Sequence, residues 1–333
     1  MRISLSVCKE VYPMVNFPAS PITTDSFSGW GRKEKVVVVM GATGTGKSRL
    51  SIDLATRFRA AEVVNSDKMQ VYHGLDITTN KVTEEEQCGV PHHLLGIIDP
   101  DSEFTHTDFS RFASLAVGSI ASRDRLPIIV GGSNSYIESL VDDEELEFRS
   151  KFECCFLWVD VSLPVLHSFV STRVDQMIEL GLVDEVRKIF HPKADYNRGI
   201  RRAIGVPELD HFLRAESRGA GYQTGAPLLE AAINQIKANT CKLASRQWQK
   251  IQRLRTLPGW NIHRLDATEA FVKSGRDSDE AWDKLVAGPS SMIVRRFLYS
   301  DEHLTAPIKP KPALISSAIS KAVMGVAVAA VGR

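Results

Sequence analysis

Apolar residues follow two rhythms along this chain, and the rhythm changes near Pro164. KVVVVM (35–40) is an unbroken, mostly β-branched run, the pattern of a strand buried on both faces. From Ser48 to Phe58 the apolar positions Leu50, Leu54, Ala55 and Phe58 fall on one helical face. AEVVNSD (61–67), PIIVGGSNS (127–135) and CCFLWVDV (154–161) read as further strands. Strands alternating with helices predict an α/β core with a mostly parallel sheet over residues 33–164.

After Pro164 the period becomes helical. LPVLHSFVSTRVDQMIELGLVDEVRKIF (163–190) carries it with a break at Gly181, and GIRRAIGVPELDHFL (199–213) is a shorter piece. Residues 165–240 therefore read as a helical subdomain attached to the core. Arg214 to Pro227, rich in Gly and polar residues, predicts a mobile loop. A long helix follows from Leu228 to Leu254, and NIHRLDAT (261–268) predicts a last strand, so that 241–303 returns to the core. Residues 304–333 are expected to be a disordered tail. Residues 1–32 contain Ser, Thr and Pro but only Glu10 and Asp25 as acids, which is the composition of an organelle transit peptide. That points to the plastid, with an unstructured extension on a cytoplasmic protein as the alternative.

Composition narrows the function. The 333 residues are 43% hydrophobic and 24% charged, with a formal charge of +1. Tracking a long nucleic acid generally leaves a stronger basic excess, so no stable nucleic-acid partner is expected. No run reaches the roughly 20 apolar residues of a membrane span. Cys8, Cys88, Cys154, Cys155 and Cys241 lack paired zinc-ligand spacing and read as reduced, structural thiols.

The chemistry concentrates in GATGTGKS (41–48), a full GxxxxGK(S/T) match between a strand and a helix. Gly41, Ala42, Thr43, Gly44, Thr45 and Gly46 supply a backbone that can curl with its N–H groups inward on an anion. Lys47 adds a point charge, and the Ser48 hydroxyl is a candidate ligand for Mg²⁺. An ATPase also needs an acid at the end of another strand, but PIIV runs into Gly131-Gly132-Ser133. Two other strands do end in acids, at Asp67 and Asp160. Asp67 follows the strand directly after the loop's helix. If the two strands are neighbours, their ends share one crevice and Asp67 can take a proton from a nucleophile there. Nucleotide and nucleoside kinases carry a similar loop, so a small-molecule kinase stays open at this point. Lys242, Arg246, Lys250 and Arg253 share one face of the long helix. Arg246 on that face and Arg173 in STRVDQM are candidate diphosphate contacts.

Beyond the loop, NSDKMQVYHGLDITTNK, VPHHLLG, IIVGGSNSYIESL, RVDQMIELGLVDEV, DYNRGIRRAIGVPE and ASRQWQKIQRL occur in order, the whole set lying within residues 36–255. This set resembles the isopentenyltransferases that prenylate the N6 amine of adenine, and most of all the plant adenylate isopentenyltransferases of cytokinin biosynthesis. The resemblance implies transfer of a dimethylallyl group from dimethylallyl diphosphate to AMP, ADP or ATP. It also implies roles for individual residues. Asp67 is the base on N6, Thr43 contacts the departing bridging oxygen, and Lys47, Ser48 with Mg²⁺ and Arg173 hold the pyrophosphate. Ser133 lies near the acceptor. The rival within the family prenylates adenine in a tRNA anticodon loop; neutral charge and the missing zinc spacing favour the free nucleotide.

Overall fold

The computed structural model describes residues 33–299 apart from Arg59 and Ala220. β1 (Glu34–Gly41), α1 (Lys47–Arg57) and β2 (Ala61–Asn65) come first. A short α2 (Glu84–Gln87) and β3 (His92–His93) precede α3 (His106–Ala121), β4 (Leu126–Gly131) and α4 (Asn134–Val141). α5 (Phe148–Lys151) leads into β5 (Phe152–Asp160). Then follow α6 (Leu163–Glu179), α7 (Leu182–Ile189), a 3-10 turn (Gly199–Arg202), α8 (Val206–Ser217) and α9 (Tyr222–Leu254). β6 (Ile262–Asp266) returns to the sheet before α10 (Thr268–Val272), α11 (Gly275–Trp282), a π-helical turn (Asp283–Ala287) and α12 (Gly288–Tyr299).

The six strands form one parallel sheet in the order β3-β2-β4-β1-β5-β6. β1 lies inside it, and Val36 to Met40 expose no surface. Alternation sends successive side chains to opposite faces. Val36, Val38, Met40, Phe156 and Trp158 join residues of α3, α4, α8 and α9, among them Phe109, Ile137, Leu209 and Ile236. Val37, Val39, Leu157 and Val159 meet Leu50 and Leu54 of α1, Val170 of α6 and Trp282 of α11. Cys154 and Cys155 point to different faces as expected of neighbours in a strand, and desolvation pushes both thiols up to about 12. The described residues from 33 to 298 fall in one compact unit. Among the described residues no helix is long and apolar enough to cross a membrane.

Two expectations need correction. The segment 214–227 is mostly helical: α8 runs to Ser217, and α9 already includes Pro227. Packing of α9 along α8, with Gly225 close to Phe212, overrides the local preference for a loop. The second concerns the sheet, since β2 does not neighbour β1; β4 lies between them. Asp67 nevertheless arrives at the loop because the chain leaving β2 crosses the end of β4. The Ser66 amide donates to Val130 O at 2.8 Å, which continues the ladder past the last residue of β2. Ser66 then lies directly over Gly131, where a Cβ would stand 2.2 Å from Ser66 Oγ and 2.5 Å from its carbonyl carbon. Only glycine permits that crossing.

Gly131→Ala should therefore destabilise the fold by about 1–3 kcal/mol, the usual range for forcing an atom into a packed site. Denaturant unfolding measures it, and an unchanged midpoint would mean that the crossing is not tight.

Candidate active site

The turn between β1 and α1 folds onto its own carbonyl. Thr45 donates to Ala42 O from its amide at 3.3 Å and its hydroxyl at 3.0 Å, and Lys47 Nζ donates to the same oxygen at 2.7 Å. Gly46 precedes the helix with φ of +88°, and a Cβ there would stand 2.7 Å from Cη2 of Trp282. Conformation and space both demand glycine. Trp282 is held in turn by its Nε1 bond to Asp53 at 2.7 Å and by the Arg49 guanidinium 4.8 Å from its ring centre.

Helix starts differ in a way that matters for anions. α2 and α3 begin with capping boxes, Thr83 with Glu86 and Thr105 with Asp108. α1 begins without a side-chain cap and without an acid in its first turn. Its N–H groups and the positive end of its dipole suit an external anion.

Cations reinforce this. Lys47 is lowered from 10.5 to about 8, chiefly by desolvation, with the charge of Asp67 opposing and that of Arg173 adding to the fall. Arg173 on α6 is lowered to about 10 for the same first reason, again against the pull of Asp67. Its Nη2 donates to Thr43 Oγ1 at 3.0 Å. Buried polar atoms beside the loop lack hydrogen-bond partners: Arg173 Nε, Ser66 Oγ and Asn134 Oδ1. Native folds rarely leave such groups unpaired, and the Arg173 Nε sits on the same guanidinium that bonds Thr43 of the loop.

Asp67 thus shares an electrostatic neighbourhood with Lys47 and Arg173. Its Oδ1 accepts from the amides of Met69 at 2.9 Å and Gln70 at 3.4 Å, which fixes the side chain on its own turn. Oδ2 takes part in neither bond. Ser133 touches the same turn, its Oγ accepting from the Lys68 amide at 3.0 Å.

Arg246 is exposed on α9 and makes no hydrogen bond or ion pair among the described residues. The polar contact with the loop comes from the next residue: Gln247 Oε1 accepts from the Thr43 amide at 2.7 Å, and Nε2 donates to Gly132 O at 2.8 Å. An uncharged residue inside a helix offers no sequence signal of its own; only its place in ASRQWQKIQRL marks it. Lys250 pairs with Glu138 of α4 at 2.5 Å, and Arg253 pairs with it too. Asp160 is buried and bonded to Arg264 Nε at 2.7 Å, away from any free role.

Magnesium fits this donor set in one way. No cluster of three or more His, Cys, Asp or Glu side chains among the described residues could hold a metal by itself. Ser48 is exposed in the first turn of α1, beside Lys47, and its hydroxyl makes no hydrogen bond there. A cation that binds through one protein oxygen, ligand phosphates and retained water suits such a position, and Mg²⁺ is that cation.

The family model for IPP transferases matches residues 70–151 and 142–253. Adenylate isopentenyltransferase 5, chloroplastic, of Arabidopsis thaliana is 63% identical over 292 residues, 87% of this chain and 87% of that protein. The chain belongs to the IPP transferase family, among the adenylate isopentenyltransferases. Adenylate isopentenyltransferase 7, mitochondrial, of the same plant is 52% identical over 308 residues, 91% of this chain and 92% of that protein. A solved eukaryotic dimethylallyltransferase acting on tRNA has the same fold, with a TM-score of 0.65 at 24% identity, covering 84% of this chain and 82% of that one. In this adenylate isopentenyltransferase the matched segments take in Ser133, Arg173 and Gln247, while the loop and Asp67 precede them.

Because Lys47 loses its proton near pH 8, anion binding should be linked to it. Below that pH the ammonium is charged and adds no pH dependence to the ligand's own ionisation; above it, binding must also recharge the amine. Affinity for inorganic pyrophosphate should therefore fall by up to about tenfold per pH unit above pH 8, with proton uptake. Calorimetry in buffers of different ionisation heat measures both, and Lys47→Arg should flatten the profile. A wild-type profile as flat as that of the variant would contradict the assignment.

Proposed function

We infer that the chain transfers a dimethylallyl group from dimethylallyl diphosphate to the N6 amine of AMP, ADP or ATP, giving isopentenyladenine nucleotides for cytokinin biosynthesis. The observation that carries the reading is the meeting of Asp67 with Lys47 and Arg173 in one neighbourhood. A carboxylate beside an anion-binding loop serves a reaction that needs a base and a leaving anion together.

In that reaction the C1–O bond of the donor breaks as the C1–N6 bond forms, pyrophosphate departs, and the N6 proton passes to Asp67. The loop amides, Lys47 and Arg173 stabilise the negative charge that grows on the leaving group, the largest single gain available. The Thr43 hydroxyl, whose oxygen accepts from Arg173, is the group this reading assigns to the bridging oxygen. Ser133 supports the acceptor side by holding the turn that carries Asp67. Magnesium, held by Ser48 and the donor's phosphate oxygens, would add positive charge to the leaving group.

A tRNA acceptor is the second reading, favoured by the fold shared with the tRNA enzyme. The basic stripe on α9 that would serve it is partly neutralised, because Lys250 and Arg253 pair with Glu138 and only Lys242 and Arg246 of the four make no ion pair among the described residues. The same inference puts the protein in a plastid, as the chloroplastic relative's name and the composition of residues 1–32 suggest. That leader lies outside the described residues, and the mitochondrial relative makes the mitochondrion the alternative.

Incubation with dimethylallyl diphosphate, Mg²⁺ and either adenine nucleotides or unmodified tRNA should yield prenylated nucleotide. Prenylated tRNA alone, or phosphate transfer without prenylation, would overturn the reading. Asp67→Ala should lower kcat by about 10²–10⁴ without raising donor KM, the range expected for a lost general base. Near-normal turnover would remove Asp67 from the chemistry.

A further inference from the structure

Thr43 and Asp67 stand on different strands' ends, yet the reaction needs them at a fixed separation. Attack by N6 and departure of the bridging oxygen must be collinear at C1, and an error of about 1 Å in such an arrangement costs on the order of 100-fold in rate. Something must set that spacing.

A continuous set of hydrogen bonds spans it. The Thr43 amide donates to Gln247 Oε1 at 2.7 Å, and Gln247 Nε2 donates to Gly132 O at 2.8 Å. The adjoining Ser133 then accepts from the Lys68 amide at 3.0 Å, one residue from Asp67. A cross-tie strengthens the middle, as Asn134 Nδ2 donates to Gln247 O at 3.3 Å.

The side chain suits its place. A backbone N–H on one side needs an acceptor and a carbonyl on the other needs a donor, and a primary amide supplies both from one planar group. Gly132 makes room for it, since a Cβ there would stand 2.6 Å from Nε2. α9 carries Gln247 between Ala244 and Ile251, both without exposed surface, so the amide is mounted on an anchored helix. Thr43 is consequently fixed twice, its backbone from α9 through Gln247 and its hydroxyl from α6 through Arg173.

Resting on the prenyl-transfer reading above, we propose that Gln247 is a positioning residue that sets the distance between the donor's leaving oxygen and the carboxylate that takes the acceptor's proton. Its role lies in spacing rather than in holding the diphosphate, which the α1 amides, Lys47 and Arg173 do without it.

The test uses the full-length enzyme with dimethylallyl diphosphate and ATP, comparing wild type with Gln247→Ala, Ser133→Ala and the double variant. Gln247→Ala should lower kcat on the order of 100-fold, while donor KM and the Kd of inorganic pyrophosphate stay within about threefold. Because both residues are links of one chain, the double variant should lose no more than the worse single variant, where independent sites would multiply. Gln247→Glu keeps the acceptor for Thr43 but loses the donor for Gly132 O as a carboxylate, so near pH 8 it should reproduce the kcat loss even if Gln247→Ala fails to fold. Multiplicative losses, retained kcat, or, for the uncharged Gln247→Ala, a fall in pyrophosphate affinity matching the fall in kcat would each overturn the proposal. Absence of turnover by wild type would overturn the functional reading and the proposal with it; wild-type turnover that Gln247→Glu retains overturns the proposal alone.

Discussion

The desolvated charges of Lys47 and Arg173, with the charge of Asp67 acting on both, are the constraint around which the site is arranged. Two cations partly stripped of water are unfavourable alone, and the depressed values of both record that cost. One carboxylate cannot neutralise two charges. The surplus is positive, it sits at the uncapped start of α1, and it suits a diphosphate better than a single carboxylate.

Much of the architecture follows from delivering that carboxylate. β2 is separated from β1 by β4, so Asp67 arrives only because Ser66 crosses Gly131. The absent acid at the end of PIIV is the same fact viewed from β4. A side chain at that point would block the crossing that brings an acid from elsewhere. Gly132, one position on, makes room for Gln247. The Gly-Gly pair thus serves two close approaches, one from β2 and one from α9.

The parts of the fold legible in sequence were those carried by local pattern. KVVVVM, AEVVN, PIIV and CCFLWVD became β1, β2, β4 and β5, and NIHRLDAT contains β6. The two residues of β3 are too few to show a period. Strand order was not legible, because adjacency depends on which segments meet across the sheet and not on their succession in the chain. The start of α9 was hidden by Gly225 and Pro227, whose local preferences give way to packing on α8. In the site, the Gly-rich loop, Lys47 and Asp67 announce themselves by residue type. Charge drew attention to Arg246 on α9, whereas the neighbouring Gln247 makes the contact through an amide that composition and charge counting overlook.

The division of labour between a carboxylate for the acceptor and a cationic loop for the leaving group is open to one direct measurement. Asp67→Asn removes a negative charge beside the cations without changing the shape of the side chain. Binding of inorganic pyrophosphate, without added metal and at pH 6.5 where Lys47 is charged, should become about tenfold tighter, as expected for removing a like charge that acts on both cations of the anion's site. Weaker binding by the variant would mean that Asp67 helps to hold the diphosphate, and would contradict this account.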